Sequence, residues 1–292
     1  MHVTKVKQWG EFLCQVRKFF NKRGFLEVTT PHLVSAGAFE STLDPLSCKW
    51  SNGTGELHTS PEFEMKLLLS EIRLPIYQIC QCFRDDPPSP VHKIEFTMLE
   101  FYRPFVQYES TQTEMKQLLS TVSGRDLEFK EYTVNDLVLS CTGLNLQNLS
   151  EEELRQQVDE KQIVSVSSDD AWEDIFFKIM LEHVEPRLDP AIPTLVKDYP
   201  KRVCALADIN PVTQVAERFE IYWKGMELCN GATELTNLPQ LMERFNQESR
   251  IRRLAGKNPH PSPDRLILAL KKGLPPCSGV AVGLDRLFLC LS

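Results

Sequence analysis

No two of the nine cysteines stand in a CxxC pair, so the sequence suggests neither a disulfide framework nor a zinc site. Cys80 and Cys82 would point to one face of a strand, where buried packing is their ordinary use. No long uncharged apolar run is present that could span a bilayer, and Met1-His2-Val3-Thr4-Lys5 lacks the apolar core of a signal peptide. A soluble protein of the reducing cytoplasm is the expectation. Basic charge is also in short supply, with 33 Lys and Arg against 40 Asp and Glu and a formal net charge of -7. Lys and Arg contacts to phosphate supply most non-specific affinity for nucleic acid, which disfavours a tRNA partner. No short repeat or low-complexity tract is evident, and 292 residues of globular composition provide for one large domain.

Trp9, Phe12, Leu13, Val16, Phe19 and Phe20 recur at helical spacing and predict an amphipathic helix over about 5–23, with Gly24 at its stop. Phe25-Leu26-Glu27-Val28 then begins a strand that runs into Pro31. Ile76 to Phe83 predicts a strand leading into Arg84, and a second strand returns from Phe96 to Tyr102. Pro87, Pro88 and Pro90 cannot donate to a ladder, so they belong to the connection of an antiparallel hairpin. From about 110 to 211 the chain turns polar and helical, with Ser150 and Glu153 spaced as a capping box. An insertion within the domain and a separate small domain both fit that segment. Lys224-Gly225 predicts a two-residue hairpin turn that brings Glu220, Tyr222 and Glu227 onto one face.

Phe83-Arg84-Asp85-Asp86, followed by His92-Lys93-Ile94-Glu95-Phe96-Thr97-Met98-Leu99-Glu100-Phe101-Tyr102, resembles motif 2 of the class II aminoacyl-tRNA synthetases, in their lysine branch. The helix, strand and proline before it resemble motif 1. Cys277-Ser278-Gly279-Val280-Ala281-Val282-Gly283-Leu284-Asp285-Arg286-Leu287 resembles motif 3. Thr59-Ser60-Pro61-Glu62, Glu95 to Glu100, Val215 to Glu220 and Cys277 to Ala281 are strings similar to those of the elongation factor P (R)-β-lysine ligases, the truncated paralogues of lysyl-tRNA synthetase. The resemblance covers nearly the whole chain. It implies an α+β fold, the class II synthetase catalytic domain, whose mainly antiparallel β-sheet is flanked by helices. One such domain over 1–292 is expected, with a mainly helical insertion around 110–211, no anticodon-binding domain, and a homodimer through motif 1.

The same resemblance implies a reaction in which ATP and (R)-β-lysine give an enzyme-held adenylate that acylates a lysine ε-amine of elongation factor P. Arg84 and Arg286 are the implied catalytic cations, because a planar guanidinium stays charged and bridges two oxygens. Asp85, Asp86, His92, Lys93, Phe96, Glu227, Leu228 and Gly283 complete the implied ATP site, with Phe96 stacked on adenine. Glu220 and Glu227 are the implied Mg²⁺ ligands, since magnesium binds one or two carboxylates together with nucleotide phosphates. Two solvated strand-edge acids are the plainer reading of that pair. A diammonium substrate needs several carboxylates in its pocket, and Ser60, Pro61, Glu62, Glu100, Tyr102, Asn230 and Glu234 occupy the positions of substrate contacts. Ala281, where lysyl synthetases carry glycine, matches the β-lysine ligases and biases the choice between isomers.

Asp86, Lys93-Ile94 and Ala232 depart from the family pattern, which has glutamate, Asn-Pro and phenylalanine at those places. Two alternatives therefore stay open. One is a catalytically weakened paralogue that binds a protein partner as a regulator; the other is a short ligase that uses α-lysine.

Overall fold

Aromatic side chains at helical spacing need an apolar partner, and α1 (Val3–Asn21) buries Phe12, Val16, Phe19 and Phe20. The structure, a computed structural model, describes residues 3–87, 89, 93–147 and 149–291. Two compact units divide the chain: Met1–Asp126 with Gly231–Ser292, and Leu127–Asn230. In the first unit, α1 leads to β1 (Leu26–Glu27), which pairs in parallel with a later strand. The short strands β2 (Leu33–Val34), β3 (Ser47–Trp50) and β4 (Gly53–Leu57) form a separate antiparallel sheet in the order β2-β4-β3. Helix α2 (Glu62–Ile72) follows, then β5 (Ile76–Phe83), β6 (Glu95–Pro104) and α3 (Tyr108–Ser123).

The predicted hairpin forms as expected: β5 and β6 pair antiparallel from Ile76 opposite Tyr102 to Phe83 opposite Glu95. Tyr77 and Phe101 stand opposite each other. Phe20 of α1 meets both, stacked on Tyr77 at 4.8 Å and tilted on Phe101 at 5.0 Å. That face of the hairpin is spent on core packing, which leaves the other for chemistry.

The second unit holds β7 (Lys130–Thr133), α4 (Val134–Thr142), α5 (Glu151–Lys161) and α6 (Trp172–Ile179), the last running into a π-helical turn over Met180–Val184. Then come β8 (Thr194–Pro200), β9 (Val215–Trp223) and β10 (Met226–Thr233), and the chain returns to the first unit within β10. Strand neighbours here run β10-β9-β8-β7, with β7 and β8 parallel and β8 and β9 antiparallel. Its bounds differ from the helical segment expected at 110–211: α3 falls in the first unit, and β7, β8 and β9 give the second a sheet. The capping box is present, with Glu153 N–H donating to Ser150 Oγ at 3.2 Å and Ser150 N–H to Glu153 Oε2 at 2.8 Å. Lys224 and Gly225 turn between β9 and β10 with φ of 50° and 72°, the pair of positive values that a type I′ hairpin requires.

Back in the first unit, α7 (Leu238–Leu254), α8 (Asp264–Lys271), β11 (Cys277–Gly283) and α9 (Leu284–Leu291) close the chain. β11 pairs antiparallel with β6, from Cys277 opposite Pro104 to Gly283 opposite Met98. The first unit's main sheet therefore reads β1-β5-β6-β11. Among the described residues, no helix is long and apolar enough to cross a membrane.

Candidate active site

Antiparallel partners share a sheet face, and alternate residues along each strand repeat it. Gln78, Glu100 and Ala281 thus form one row across β5, β6 and β11, with Ile76, Tyr102 and Gly279 in the row beside it. Glu100 accepts hydrogen bonds from Ser60 Oγ and from Tyr102 OH, each at 2.6 Å. Ser60 Oγ also accepts from the Glu62 N–H at 3.1 Å, at the start of α2. One helical turn on, Lys66 is fully buried, and its Nζ lies 2.5 Å from both Glu62 Oε1 and Glu234 Oε2. A Cβ at Gly279 would lie 2.3 Å from Tyr102 Cε1 and 2.5 Å from Glu234 Oε1. Glycine is what lets the tyrosine and the carboxylate sit over β11 together.

Buried charge is costly unless paired, and burial shifts the ionisable groups of the cluster accordingly. Burial, reinforced by the charge of Glu62, pushes the Glu100 carboxyl up to about 8 against the pull of the Ser60 and Tyr102 hydroxyls. Burial lifts Glu234 to about 7 against the pull of Lys66. For Lys66 the sign reverses: burial opposes the ammonium, but Glu234 and Glu62 outweigh it and hold the amine above the ordinary lysine range. Glu100 and Glu234 thus hold protons more tightly folded than unfolded, so their contribution to stability falls as pH rises from the unfolded carboxylate range through 7 and 8. Urea titrations of the ligand-free protein are expected to show stability declining between about pH 5 and 8, with Glu100→Gln flattening the slope. A slope equal to wild type in that variant would separate Glu100 from the effect.

Arg84 follows β5 and donates its backbone N–H to Ile94 O at 2.9 Å. Its guanidinium carbon lies 5.2 Å from the Phe96 ring centroid, and its Nε is buried without a hydrogen-bond partner. A buried N–H without a partner on a cation suits an anionic oxygen. Gly283 ends β11, and the nearest atoms that a Cβ there would meet belong to the Arg286 side chain, from 3.7 Å. Asp285, at the start of α9, accepts the Thr97 N–H at 2.7 Å and pairs with Lys93 Nζ at 3.2 Å. Lys93, placed in the implied ATP site, is here an exposed partner of a carboxylate. Asp85 is exposed, with its N–H on Asp44 O at 2.8 Å, and Asp86 is half-buried. His92 lies outside the described residues.

Comparison with known proteins places this arrangement. The family model described as tRNA synthetases class II (D, K and N) matches residues 5–292. The chain belongs to the class II tRNA synthetase family. An Aquifex aeolicus protein named elongation factor P–(R)-β-lysine ligase homolog is 36% identical over 284 residues, 96% of this chain and 92% of that protein. The elongation factor P–(R)-β-lysine ligase of Photobacterium profundum is 34% identical over 295 residues, 98% of this chain and 91% of that protein. The ligase of the same name from Hamiltonella defensa is 33% identical over 301 residues, 98% and 90% of the two chains. The expected α+β synthetase fold is borne out, and membership makes the protein an ATP-dependent amino-acid ligase.

In the second unit of this member of the class II synthetase family, Glu220 is buried. Its Oε2 accepts from Tyr199 OH at 2.6 Å and Tyr222 OH at 2.5 Å, while Oε1 accepts from Arg218 at 2.6 Å. Burial first, and then the Glu220 charge, push both phenols well above the usual tyrosine range. Three of the roughly four lone-pair sites of the Glu220 carboxylate are taken by these donors, which leaves at most one for the expected Mg²⁺. Glu227 and Asn230 are half-buried, and Leu228 is buried.

Lys66 and Asp285 escaped the sequence reading, as did the role of Gly279. Glu62 and Lys66 stand at i and i+4, a spacing that supports a helical pair, and a strand-interior glycine commonly marks close approach. Both signals were present. Gln78, beside Glu100, is buried and leaves both amide atoms without a partner, and nothing in its local sequence points to that.

Proposed function

We propose that this chain joins ATP and (R)-β-lysine into an adenylate and passes the β-lysyl group to a lysine ε-amine of elongation factor P. The observation that carries the reading is charge balance in the buried cluster. Glu62, Glu100 and Glu234 bring three carboxylates and Lys66 one ammonium, which leaves two negative charges in excess when all are ionised. A diamino acid supplies two ammonium groups. Gln78 adds an unpartnered amide donor and acceptor on the same sheet face.

In the first step a substrate carboxylate oxygen attacks the α-phosphorus and pyrophosphate leaves. Arg84, with its orphaned Nε, holds the two anions together and takes up the charge that develops. In the second step the acceptor amine attacks the carbonyl carbon, AMP leaves, and the amine proton is lost to solvent. Positioning accounts for much of the rate. Mg²⁺ would neutralise phosphate charge, and Glu227 is the carboxylate that would hold it, while Glu220 is engaged by Tyr199, Tyr222 and Arg218. The acceptor, a translation factor, accords with the cytoplasm as the site of action.

Pyrophosphate exchange that depends on (R)-β-lysine, followed by intact-mass measurement of elongation factor P, tests the proposal. A preference for α-lysine in adenylate formation, or no gain in acceptor mass with folded enzyme, would overturn it. Arg84→Ala is expected to lower exchange by at least ~100-fold with an unchanged circular dichroism spectrum, the scale on which losing one preorganised donor acts.

Motif 1 leaves Val3, Val6, Leu26 and Leu33 exposed, which supports a homodimer through that region. Leu26→Asp is expected to convert a dimer to a monomer by sedimentation velocity. Wild-type protein that sediments as a monomer at micromolar concentration would remove the dimer from the proposal.

A further inference from the structure

Two imidazoles and a thiol meet in the first unit, with a second thiol beside the first, on residues that the ligase reaction does not use. Among the described residues, His32, His58 and Cys80 offer one donor atom each, all within 4.8 Å of one another. Cys80 Sγ lies 4.0 Å from His58 Nε2 and 3.9 Å from Cys82 Sγ. Met98 Sδ, 3.9 Å from Cys82 Sγ, backs the group with a third sulfur. The parts come from three places in the chain: His32 just before β2, His58 just after β4, and both cysteines on one face of β5.

His58 makes this more than a chance gathering. It is 2% exposed, and its Nε2 sits 2.9 Å from Gln81 O, a carbonyl that can only accept. Nε2 therefore carries the proton, and in the neutral ring Nδ1 keeps a lone pair. That Nδ1 is buried with no hydrogen-bond partner. A buried basic nitrogen without a donor is costly. An imidazole that donates one N–H to a backbone carbonyl while its other nitrogen waits is the usual orientation of a metal-binding histidine.

We propose that His32, His58 and Cys80, with Cys82 as the fourth donor, bind a thiophilic divalent cation of the zinc type. Two imidazoles and two thiolates match the composition of closed tetrahedral zinc sites. Bond lengths of about 2.0–2.3 Å in a tetrahedron set donor separations of roughly 3.3–3.8 Å. The observed Cys80–Cys82 separation of 3.9 Å is close to that range. His32 is exposed, and a surface cavity lined by Val34, Ala36, His58, Ser60 and Pro61 reaches His58. Cys82 stands opposite Phe96 and Cys80 opposite Met98, so the cation would lie on the sheet face that carries Glu100. The absence of a CxxC pair did not exclude such a site, because two of its donors arrive from outside β5.

The test uses the full-length protein, stripped of metal under reducing conditions and titrated with Zn²⁺ against a chromophoric chelator, with Co²⁺ as a spectroscopic probe. One equivalent is expected to bind, and the Co²⁺ form is expected to show both tetrahedral ligand-field bands and a thiolate-to-metal charge-transfer band. Cys80→Ser should abolish the charge-transfer band or weaken it sharply. His32→Ala, a change at an exposed side chain that leaves the fold intact, should weaken Zn²⁺ affinity by at least the ~10–100-fold that loss of an outer-shell partner costs. Cys14→Ser, on the exposed face of α1, should bind as wild type does. Substoichiometric uptake by folded wild-type protein, a Co²⁺ spectrum without the thiolate band, or wild-type affinity in His32→Ala would each overturn the proposal.

Discussion

Gly279→Ala is expected to cost at least ~100-fold in β-lysine-dependent pyrophosphate exchange, the scale on which a misplacement of about 1 Å acts. The added methyl would overlap Tyr102 Cε1 at 2.3 Å and Glu234 Oε1 at 2.5 Å, both far inside contact distance. Neither neighbour has room to retreat, since Tyr102 is 3% and Glu234 7% exposed. Moving Tyr102 breaks its hydrogen bond to Glu100, and moving Glu234 breaks its pair with Lys66. One methyl therefore disturbs both halves of the cluster. Overpacking should also lower stability by about 1–3 kcal/mol, which urea denaturation would measure. Wild-type exchange in a folded Gly279→Ala protein would show that the space above β11 is not where the amino acid binds.

Lys66→Met carries the second large effect. Its side chain is of similar length and apolar, so the loss isolates the charge. Without the ammonium, Glu62 and Glu234 lose the cation that both contact at 2.5 Å, and Glu100 keeps its own burden beside them. Removing one partner of a buried ion pair costs about 3–5 kcal/mol when the remaining charge stays buried. The sign of the pH dependence follows. Near pH 8 Glu234 is left ionised without its cation, whereas near pH 5 its protonation relieves the site, so the deficit against wild type should shrink as pH falls. Denaturant midpoints of both proteins across that range check the expectation. A deficit independent of pH would mean that Lys66 acts through packing alone.

Diammonium binding should act in the same direction on the wild-type enzyme. It favours the ionised forms of Glu100 and Glu234, whose carboxyls burial holds up to about 8 and about 7. Association is therefore expected to release protons and to tighten as pH rises toward 8. Calorimetry in buffers of different ionisation enthalpy would read the proton count directly, and zero release near pH 7 would contradict the assignment.

Much of this architecture was legible because it is periodic. The β-rich chemistry of 76–83 named one strand, and the prolines after it marked the connection to the strand that returns over 96–102. The turn at Lys224-Gly225 was legible because few residue pairs accept two positive φ values. Glu62, Ser60 and Glu234 were found through their strings, and the structure joins the three through Glu100 and Lys66. Lys66 itself was hidden, since an i, i+4 Glu–Lys pair looks the same on a solvated helix as under a sheet. Glu220 was read as open to metal because its sequence neighbours do not reveal Tyr199, which arrives from β8.

From the amino-acid order alone came the elements, their inward faces, the family, and the residue types that would meet an anion or a diamine. All of these depend on short-range periodicity and on local strings, which need no knowledge of where distant segments go. Tertiary structure decided which charges are neutralised by which, and how far burial moves the carboxyls of Glu100 and Glu234. It also decided that two histidines come to stand beside Cys80. Those outcomes depend on strand register and on exclusion of water, and both exist only once segments far apart in the chain have paired.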